Sequence, residues 1–212
     1  KYSIVLCFAL RNCYKYLFDI FNNIKLLVDN CNYKITCIFV CDNCRDHTIS
    51  LVKKYKYYSN HKVIFKHIVN KRWIRTVRIA NARNVCLDIL YNLDFKVDYH
   101  FMIDGDERNT HRWNIDVINK YIENFDNDNW DCITFNRNPY YDLWAILIDD
   151  FKQHYFGFDY PNCIGNVNTI GSFLKVYIQD KLDKSPNNSI ECLSAFNGLA
   201  IFKTDRYKGI KY

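Results

Sequence analysis

Short apolar runs alternate with segments of helical periodicity in the first half of the chain. Residues 3–10 (SIVLCFAL) form a compact apolar run, and between Tyr14 and Val28 apolar side chains recur every three or four positions. A strand followed by an amphipathic helix is therefore predicted. The pattern then predicts strands at 34–41, 62–69 and 98–103, a helix that begins near Asp46 and Thr48, and a helix over 77–92. Strands that alternate with helices indicate an α/β fold with a largely parallel central sheet flanked by helices.

The periodicity weakens beyond residue 110. It predicts a helix near 113–124 and strands at 131–135 and 198–203, with an aromatic-rich segment at 139–160 and a Gly/Asn-rich stretch at 162–172 between them. No internal repeat or linker divides the sequence, so we expect one domain over residues 1–212. The start at Lys1 and the abrupt end at Tyr212 are consistent with a piece of a longer protein.

The composition is that of a globular protein. The 212 residues are enough for a sizeable core, with 49% hydrophobic and 25% charged residues. The 29 Lys and Arg outnumber the 23 Asp and Glu, and the net charge of +6 suits phosphate-bearing partners. No apolar run approaches the ~20 residues that span a bilayer. Cys7, Cys37, Cys86 and Cys132 lie inside apolar runs, which favours buried reduced thiols and a cytoplasmic protein.

Two familiar nucleotide-binding signatures are absent from the sequence. The chain has only six glycines, and neither GxGxxG nor GxxxxGK[ST] occurs. This excludes the dinucleotide fingerprint and the P-loop. A nucleotide site would have to be built from other residues.

A pair of carboxylates follows the fourth predicted strand. Asp104 and Asp106 are separated by Gly105, which lets the backbone come close, and they follow the apolar run at 101–103. Ligands of open α/β sheets bind beyond the carboxyl ends of the strands. Two carboxylates one residue apart suit a hard cation, Mg²⁺ or Mn²⁺, that is also held by substrate phosphate oxygens. An isolated D-x-D is commonly a solvated turn, so its place at the end of a strand is what favours a metal site.

Polar side chains on other predicted elements strengthen this interpretation. Asp42 and Asn43 end the second strand and can hydrogen-bond a ribose or a base. Arg78 and Arg83 lie in the helix before the D-x-D strand, and arginine suits bidentate contacts with phosphate. Separately, these residues fit turn positions and solvated helix charges. Their joint occurrence with the D-x-D favours a nucleoside-diphosphate site.

These motifs, in this order, resemble those of the GT-A glycosyltransferases. The resemblance is carried by SIVLCFALRN, VCDN, RIANARN, MIDGDE, NPYYDLWAI and ECLSAFNGLAIFK, from about residue 2 to the end. The chain is most similar to domains found in large DNA viruses and some bacteria, and it more distantly resembles the fungal capsule-associated mannosyltransferases. The resemblance implies a GT-A (Rossmann-like) fold with a nucleotide-binding part at about 1–110 and an acceptor-side part at about 111–212.

The resemblance also implies an activity. A hexosyl or deoxyhexosyl group would pass from a UDP- or GDP-sugar to a glycan or glycoprotein, assisted by Mn²⁺ or Mg²⁺ as a Lewis acid at the leaving diphosphate. Asp104 and Asp106 would hold the metal, and Arg78 and Arg83 would contact the nucleotide. The segment at 194–198, which includes Asn197, would border the sugar and the acceptor, as would Asp142.

An inverting transfer needs a base that deprotonates the acceptor hydroxyl. Asp142 and Glu191 are the candidates, because both are carboxylates in segments otherwise rich in aromatic or small residues. Asp142 fits equally well as a turn residue and Glu191 as a surface charge, and retaining chemistry stays open. Trp144, from the aromatic-rich segment, is the preferred acceptor-side contact because sugar rings stack on aromatic faces.

Three other interpretations compete with this one. Cys37, Cys41, Cys44 and His47 have a spacing that a zinc site can use, but Cys37 and Cys41 fall on one face of a buried strand, where thiols pack as small hydrophobic groups. A nucleic-acid-binding domain is suggested by the basic residues around Trp73, but the acidic D-x-D counts against it, and we expect no nucleic-acid partner. A nucleotidyltransferase commonly carries a Gly-rich phosphate loop, which this sequence lacks.

Overall fold

The computed structural model describes residues 1–123, 130–136, 140, 142–143, 145–148, 167–186 and 188–212. Its strands are β1 (Ser3–Leu10), β2 (Lys34–Asp42), β3 (Lys62–Ile68), β4 (Tyr99–Asp104), β5 (Cys132–Thr134) and β6 (Leu199–Lys203). Its helices are α1 (Tyr14–Asn30), α2 (Thr48–Tyr58), α3 (Arg75–Tyr91), α4 (Ile115–Glu123) and α5 (Val167–Lys184). Short 3₁₀ helices span Glu107–Asn109 and Thr204–Tyr207.

The strands form one sheet with the order β3-β2-β1-β4-β6-β5. Strand β1 pairs in parallel with β2 on one side and with β4 on the other, and β2 pairs in parallel with β3. The residues of β1 are almost all buried, as expected of a strand covered on both faces. Because these four strands run in the same direction, their carboxyl ends meet at one edge of the sheet. At this edge, Ala9 of β1 lies opposite Asp104 of β4.

Helix α1 packs on the sheet through Leu17, Ile20, Ile24 and Leu27, all fully buried and spaced for one helical face. A polar residue on the same helix, Asn23, is also buried. Its Nδ2 donates to the main-chain oxygens of Asn109 (2.9 Å) and His111 (2.8 Å), and its Oδ1 accepts from the main-chain N–H of Trp113 (3.1 Å). Helix α1 thereby fixes the segment that follows strand β4.

Contacts between residues divide the chain into two compact units. The first contains residues 1–132 and 201–212, and the second contains residues 133–200. The described core of the second unit consists of Tyr140, Leu143, Leu174, Ile178 and Leu182. The expectations of one domain and of a division near residue 110 stay predictions.

The α/β fold is confirmed, as is the mostly parallel sheet. The predicted helices and strands between residues 3 and 135, and the last strand, are confirmed, and every boundary that was predicted lies within two residues of the observed one. Helix α5 was not predicted, because a Gly/Asn-rich stretch was expected up to residue 172. Its buried residues Leu174, Ile178 and Leu182 recur every fourth position, and their packing outweighs the low helix propensity of Asn168 and Gly171. Most of the aromatic-rich segment at 139–160 lies outside the described residues.

Candidate nucleotide and metal site

The two aspartates of the D-x-D lie where strand β4 ends. Asp104 is the last residue of β4, and its Oδ1 accepts a hydrogen bond from Arg83 Nη2 at 2.8 Å. The main-chain oxygen of Asp104 accepts from Asn109 Nδ2 at 2.8 Å. Asp106 caps the 3₁₀ helix that follows, because its Oδ1 accepts from the main-chain N–H of Arg108 at 2.9 Å. Local hydrogen bonds therefore hold both carboxylates at the carboxyl edge of the sheet.

Gly105, between the two aspartates, packs against the ends of two neighbouring segments. A Cβ atom there would overlap Leu10 Cδ2 and lie 3.1 Å from Cys13 Sγ. Leu10 ends β1 and is 1% exposed, so it has little room to move. Burial raises the pKa of the Cys13 thiol to about 12, so this thiol is neutral and acts as a packing group. The sequence predicts that Gly105 lets the backbone come close to a bound cation. In the structure, the atoms close to Gly105 belong to the side chains of Leu10 and Cys13.

Arg83 reaches Asp104 from helix α3. Its guanidinium also lies over the ring of Tyr212, with Cζ 5.1 Å from the ring centroid. Tyr212 is in turn held by Asn84, which donates to its main-chain oxygen (3.2 Å) and accepts from its main-chain N–H (2.8 Å). The guanidinium is therefore fixed between a carboxylate and an aromatic ring, which orients its remaining N–H groups.

Two further arginines of the first unit have buried nitrogens without a hydrogen-bond partner among the described residues. They are Nε of Arg78 in α3 and Nη1 of Arg11, the first residue after β1. A buried unpaired donor costs free energy, and such donors are typical of sites that take an anionic ligand. Arg11 was not predicted as a site residue. The signal was present, since Arg11 follows β1 at the same edge of the sheet where β4 ends at Asp104.

Asp42 and Asn43 lie at the carboxyl end of β2, as predicted. Asp42 is 3% exposed, and its Oδ1 accepts from the main-chain N–H of Asn70 at 3.3 Å. Asn43 has a positive φ of 47° and donates from Nδ2 to the main-chain oxygen of Asn70 at 2.7 Å. Strands β2 and β4 flank β1, so Asp42 and Asp104 are separated by two strand spacings, roughly 10 Å. The side chains of Asp42 and Asn43 both hold the main chain of Asn70, in the connection between β3 and α3. A contact between either of them and a ribose or base stays a prediction.

The residues predicted for the acceptor side belong to the second unit. The side chain of Asn197 is buried, and its Oδ1 accepts from the main-chain N–H of Asp142 (3.2 Å) while its Nδ2 donates to the main-chain oxygen of Phe135 (3.0 Å). Asn197 thus ties two segments together. Asp142 is partly buried and Glu191 is exposed. Trp144 lies outside the described residues.

Cys37 and His47, two members of the alternative zinc spacing, have other described neighbours. Cys37 Sγ lies 3.4 Å from His61 Nε2, and the His47 ring packs edge-on against Tyr14 at 5.5 Å between centroids. A hydrogen bond from Cys41 lowers the pKa of Cys44. Within the described part of the chain, no group of three or more His, Cys, Asp or Glu side chains is placed to hold a metal ion by itself.

Comparison with known proteins supports the fold. No protein-family model matches the sequence, and no curated protein matches it significantly. Among solved structures, the chain is similar to the mannosyltransferase PcManGT from Pyrobaculum calidifontis, solved in complex with GDP-Man and Mn²⁺, with 14% identity, a TM-score of 0.53, and coverage of 96% of this chain and 44% of that one. It is also similar to S. aureus TarS 1-349, with 14% identity, a TM-score of 0.45, and coverage of 70% of this chain and 41% of that one. The structure of TarS 1-349 in complex with UDP matches with 15% identity, a TM-score of 0.44, and coverage of 64% of this chain and 35% of that one.

The architecture is therefore a GT-A-like α/β fold, with a mixed, mostly parallel sheet flanked by helices. The chain spans less than half the length of each of these solved structures. At these levels of identity the similarity concerns the fold, and the chemistry must be argued from the residues of this chain.

Proposed function

We propose that this chain is a metal-dependent glycosyltransferase domain that transfers a sugar from a UDP- or GDP-sugar to a glycan or glycoprotein. The observation that carries the proposal is the pairing of Arg83 with Asp104 at the carboxyl edge of a GT-A-like sheet, at 2.8 Å. Open α/β sheets bind ligands at this edge. A cation-binding carboxylate beside a phosphate-binding guanidinium matches the charges of a metal–diphosphate group.

The donor atoms of this edge fit Mn²⁺ or Mg²⁺. Asp104 and Asp106 supply carboxylate oxygens, the ligand type that hard divalent cations prefer. No third acidic or imidazole side chain joins them among the described residues, so phosphate oxygens and water would complete the shell. Such an ion, when bound, would act as a Lewis acid that stabilises the charge of the departing diphosphate. We therefore expect metal and nucleotide to bind together.

The arginines would bind and orient the diphosphate. Arg83 is held in place by Asp104 and the Tyr212 ring, while Arg78 and Arg11 each carry a buried N–H group that lacks a described partner. A phosphate oxygen that accepts from these groups would satisfy them and gain from a preorganised positive site. Asp42 and Asn43, at the end of β2, are the proposed ribose or base contacts.

The acceptor side of the proposal rests on the second unit. Asp142 and Glu191 are the candidates for the base that removes the acceptor proton, and Trp144 is the candidate platform for a sugar ring. Asn197 would act by positioning, because its amide holds the main chain of Asp142. A cytoplasmic site of action is proposed because Cys7, Cys37 and Cys86 are fully buried in the core, where reduced thiols pack as small hydrophobic groups.

Thermal-shift measurements with UDP-, GDP-, CMP- and dTDP-sugars, each with and without Mn²⁺, test the proposal. We expect one nucleotide class to raise Tm only when metal is present, and Mn²⁺ alone to have little effect. Asp106→Asn keeps an oxygen that can cap Arg108 but removes the charge, so it should abolish the metal-dependent shift, as should Asp104→Ala.

The matched control is Asp116→Asn, an exposed acid in the first turn of α4. It should retain the full metal-dependent shift. A protein whose Tm responds to none of these donors, or an Asp106→Asn variant that responds like the wild type, would refute the assignment.

A further inference from the structure

An exposed apolar surface lies between the end of β3 and the first turn of α3. Its apolar members are Val69, Trp73, Ile74 and Val77, which are 69%, 86%, 45% and 41% exposed. Ile74 and Val77 are three positions apart at the start of the helix, so they share one face of its first turn. A fully solvated tryptophan with three aliphatic neighbours is unusual, because apolar groups this large normally contact something.

Cations surround these apolar side chains. Lys71, Arg72 and Arg75 are all exposed, and no acidic residue occurs between positions 69 and 78. Arg75 lies in the first turn of α3, where the helix dipole disfavours a positive charge. Arg75 therefore does not stabilise the helix through its charge, which favours a role in contacting a partner. We call residues 69–77 the basic–apolar surface.

The backbone beneath this surface is held firmly to the sheet. The main-chain N–H of Asn70 donates to Asp42 Oδ1 at 3.3 Å, and its main-chain oxygen accepts from Asn43 Nδ2 at 2.7 Å. Asn70 Oδ1 accepts from the main-chain N–H of Arg72 at 3.1 Å. These bonds fix the path of the chain on either side of Lys71. The exposure of Trp73 is thus a property of an ordered segment.

We propose that the basic–apolar surface docks onto the interface of an anionic lipid bilayer. Tryptophan rings favour the depth of lipid headgroups, aliphatic side chains reach the acyl boundary, and lysine and arginine are attracted by anionic headgroups. No described helix is long and apolar enough to cross a bilayer, so the association would be peripheral. This inference does not rest on the proposed glycosyl transfer.

The same residues fit a nucleic acid less well. A nucleic acid would use the cations and the tryptophan ring, because phosphates attract cations and bases stack on aromatic faces. It would leave the aliphatic side chains of Val69, Ile74 and Val77 without a partner of matching polarity. A bilayer accounts for the apolar and the cationic members together.

Flotation with lipid vesicles tests the proposal. We expect the protein to float with vesicles of phosphatidylcholine and phosphatidylserine, not with phosphatidylcholine alone, and to dissociate as salt is raised. Trp73→Ala should weaken binding about tenfold, the loss expected for one anchoring apolar side chain. Lys71→Ala and Arg72→Ala should each weaken it about fivefold.

Matched controls lie on helix α2. Tyr57 is 81% exposed, and Lys54 and Lys56 are exposed, yet this end of α2 lies at the opposite edge of the sheet from residue 69. Tyr57→Ala, Lys54→Ala and Lys56→Ala should bind vesicles like the wild type. All these residues are on the surface, so circular dichroism should show every variant folded.

Three results would overturn the proposal. One is a protein that does not float with phosphatidylserine vesicles at low salt. Another is a Trp73→Ala variant that binds as well as the Tyr57→Ala control. The third is a preference for a mixed-sequence oligonucleotide that displaces the protein from vesicles, which would assign the surface to nucleic acid.

Discussion

Arg83 and Asp104 join helix α3 to the end of strand β4, because Arg83 Nη2 donates a hydrogen bond of 2.8 Å to Asp104 Oδ1. Their side chains are 13% and 30% exposed, so the pair is largely shielded from water. Breaking such a pair from one side leaves the other charge poorly solvated. The pair therefore has a structural role in addition to the ligand-binding role that we propose for it.

Asp104→Asn should lower the free energy of unfolding by about 1–3 kcal/mol, because the Arg83 guanidinium loses its charged partner. Urea denaturation at neutral pH measures this change. Asp116→Asn, on the surface of α4, should change the free energy by less than about 0.5 kcal/mol. Equal stabilities for the two variants would show that the ion pair contributes nothing to the fold.

Gly105→Ala should destabilise the protein by about 1–3 kcal/mol, because its Cβ would overlap Leu10 in a packed core. The double variant with Leu10→Val, which removes bulk at the point of overlap, should lose less than the sum of the two single variants. Gly209→Ala is the contrasting case, since nothing lies within 4 Å of a Cβ at that position, and only its positive φ of 85° is strained. Additive losses at residues 10 and 105 would contradict the proposed overlap.

Asn197→Ala should cost about 2–3 kcal/mol, because it removes two hydrogen bonds of a buried side chain, one to the main-chain oxygen of Phe135 and one from the main-chain N–H of Asp142. Amide hydrogen exchange at Asp142 should become faster in the variant. Asn136→Ala removes an exposed hydrogen bond to Gln179 in the same unit and should leave that exchange rate unchanged. If Asn197 acts only by contacting an acceptor, Asn197→Ala will lower transferase activity without changing the rate of amide hydrogen exchange at Asp142.

His100 should make the protein less stable in mild acid. It is 1% exposed, stacks on Phe202 at 4.8 Å, and its pKa is lowered by burial from 6.5 to about 3. Between these pKa values the unfolded chain binds a proton that the folded chain does not. Unfolding therefore becomes easier as pH falls below 6.5, by up to roughly 1.4 kcal/mol per pH unit, and is insensitive to this group above 6.5.

Urea denaturation between pH 5 and pH 7.5 measures the effect of His100. His100→Phe keeps an aromatic ring beside Phe202. In this variant the free energy of unfolding should change less with pH below pH 6.5. His61 contributes in the same direction because burial also lowers its pKa, so some dependence should persist. The exposed His111 is the control, and His111→Gln should retain the full slope. An unchanged slope in His100→Phe would show that this histidine titrates normally.

The first half of the fold could be predicted from sequence because strands β1, β2 and β4 are buried on both faces and read as nearly continuous apolar runs. Strand β1 lies at residues 3–10, where the apolar run predicts it, and helix α1 begins at Tyr14 as predicted but ends at Asn30, two residues beyond the predicted Val28. Helix α5 could not be predicted in this way. Its formation depends on packing against Tyr140 and Leu143, residues far away in the sequence.

Residues of the candidate site could likewise be predicted where local sequence decides their position, but not where contacts between distant segments decide it. Asp104 and Asp106 could be located because a D-x-D after an apolar strand must lie at the edge of the sheet. The partner of Asp104 could not be chosen between Arg78 and Arg83, since both lie in the same helix and only the angle of packing decides which one reaches it. The anchoring of Asn197 to Phe135 and Asp142 likewise depends on contacts between distant segments.

The place of β1 at the centre of the sheet has a consequence for the order in which the protein folds. Ser3 pairs with Lys34, 31 positions along the chain, whereas Ile4 pairs with Tyr99, 95 positions along. Closing the longer loop costs about 1 kcal/mol more in chain entropy. We expect β1, β2 and β3 to associate early and β4 to join after the rate-limiting step. Substitutions at the two aspartates would then accelerate unfolding while leaving the refolding rate nearly unchanged.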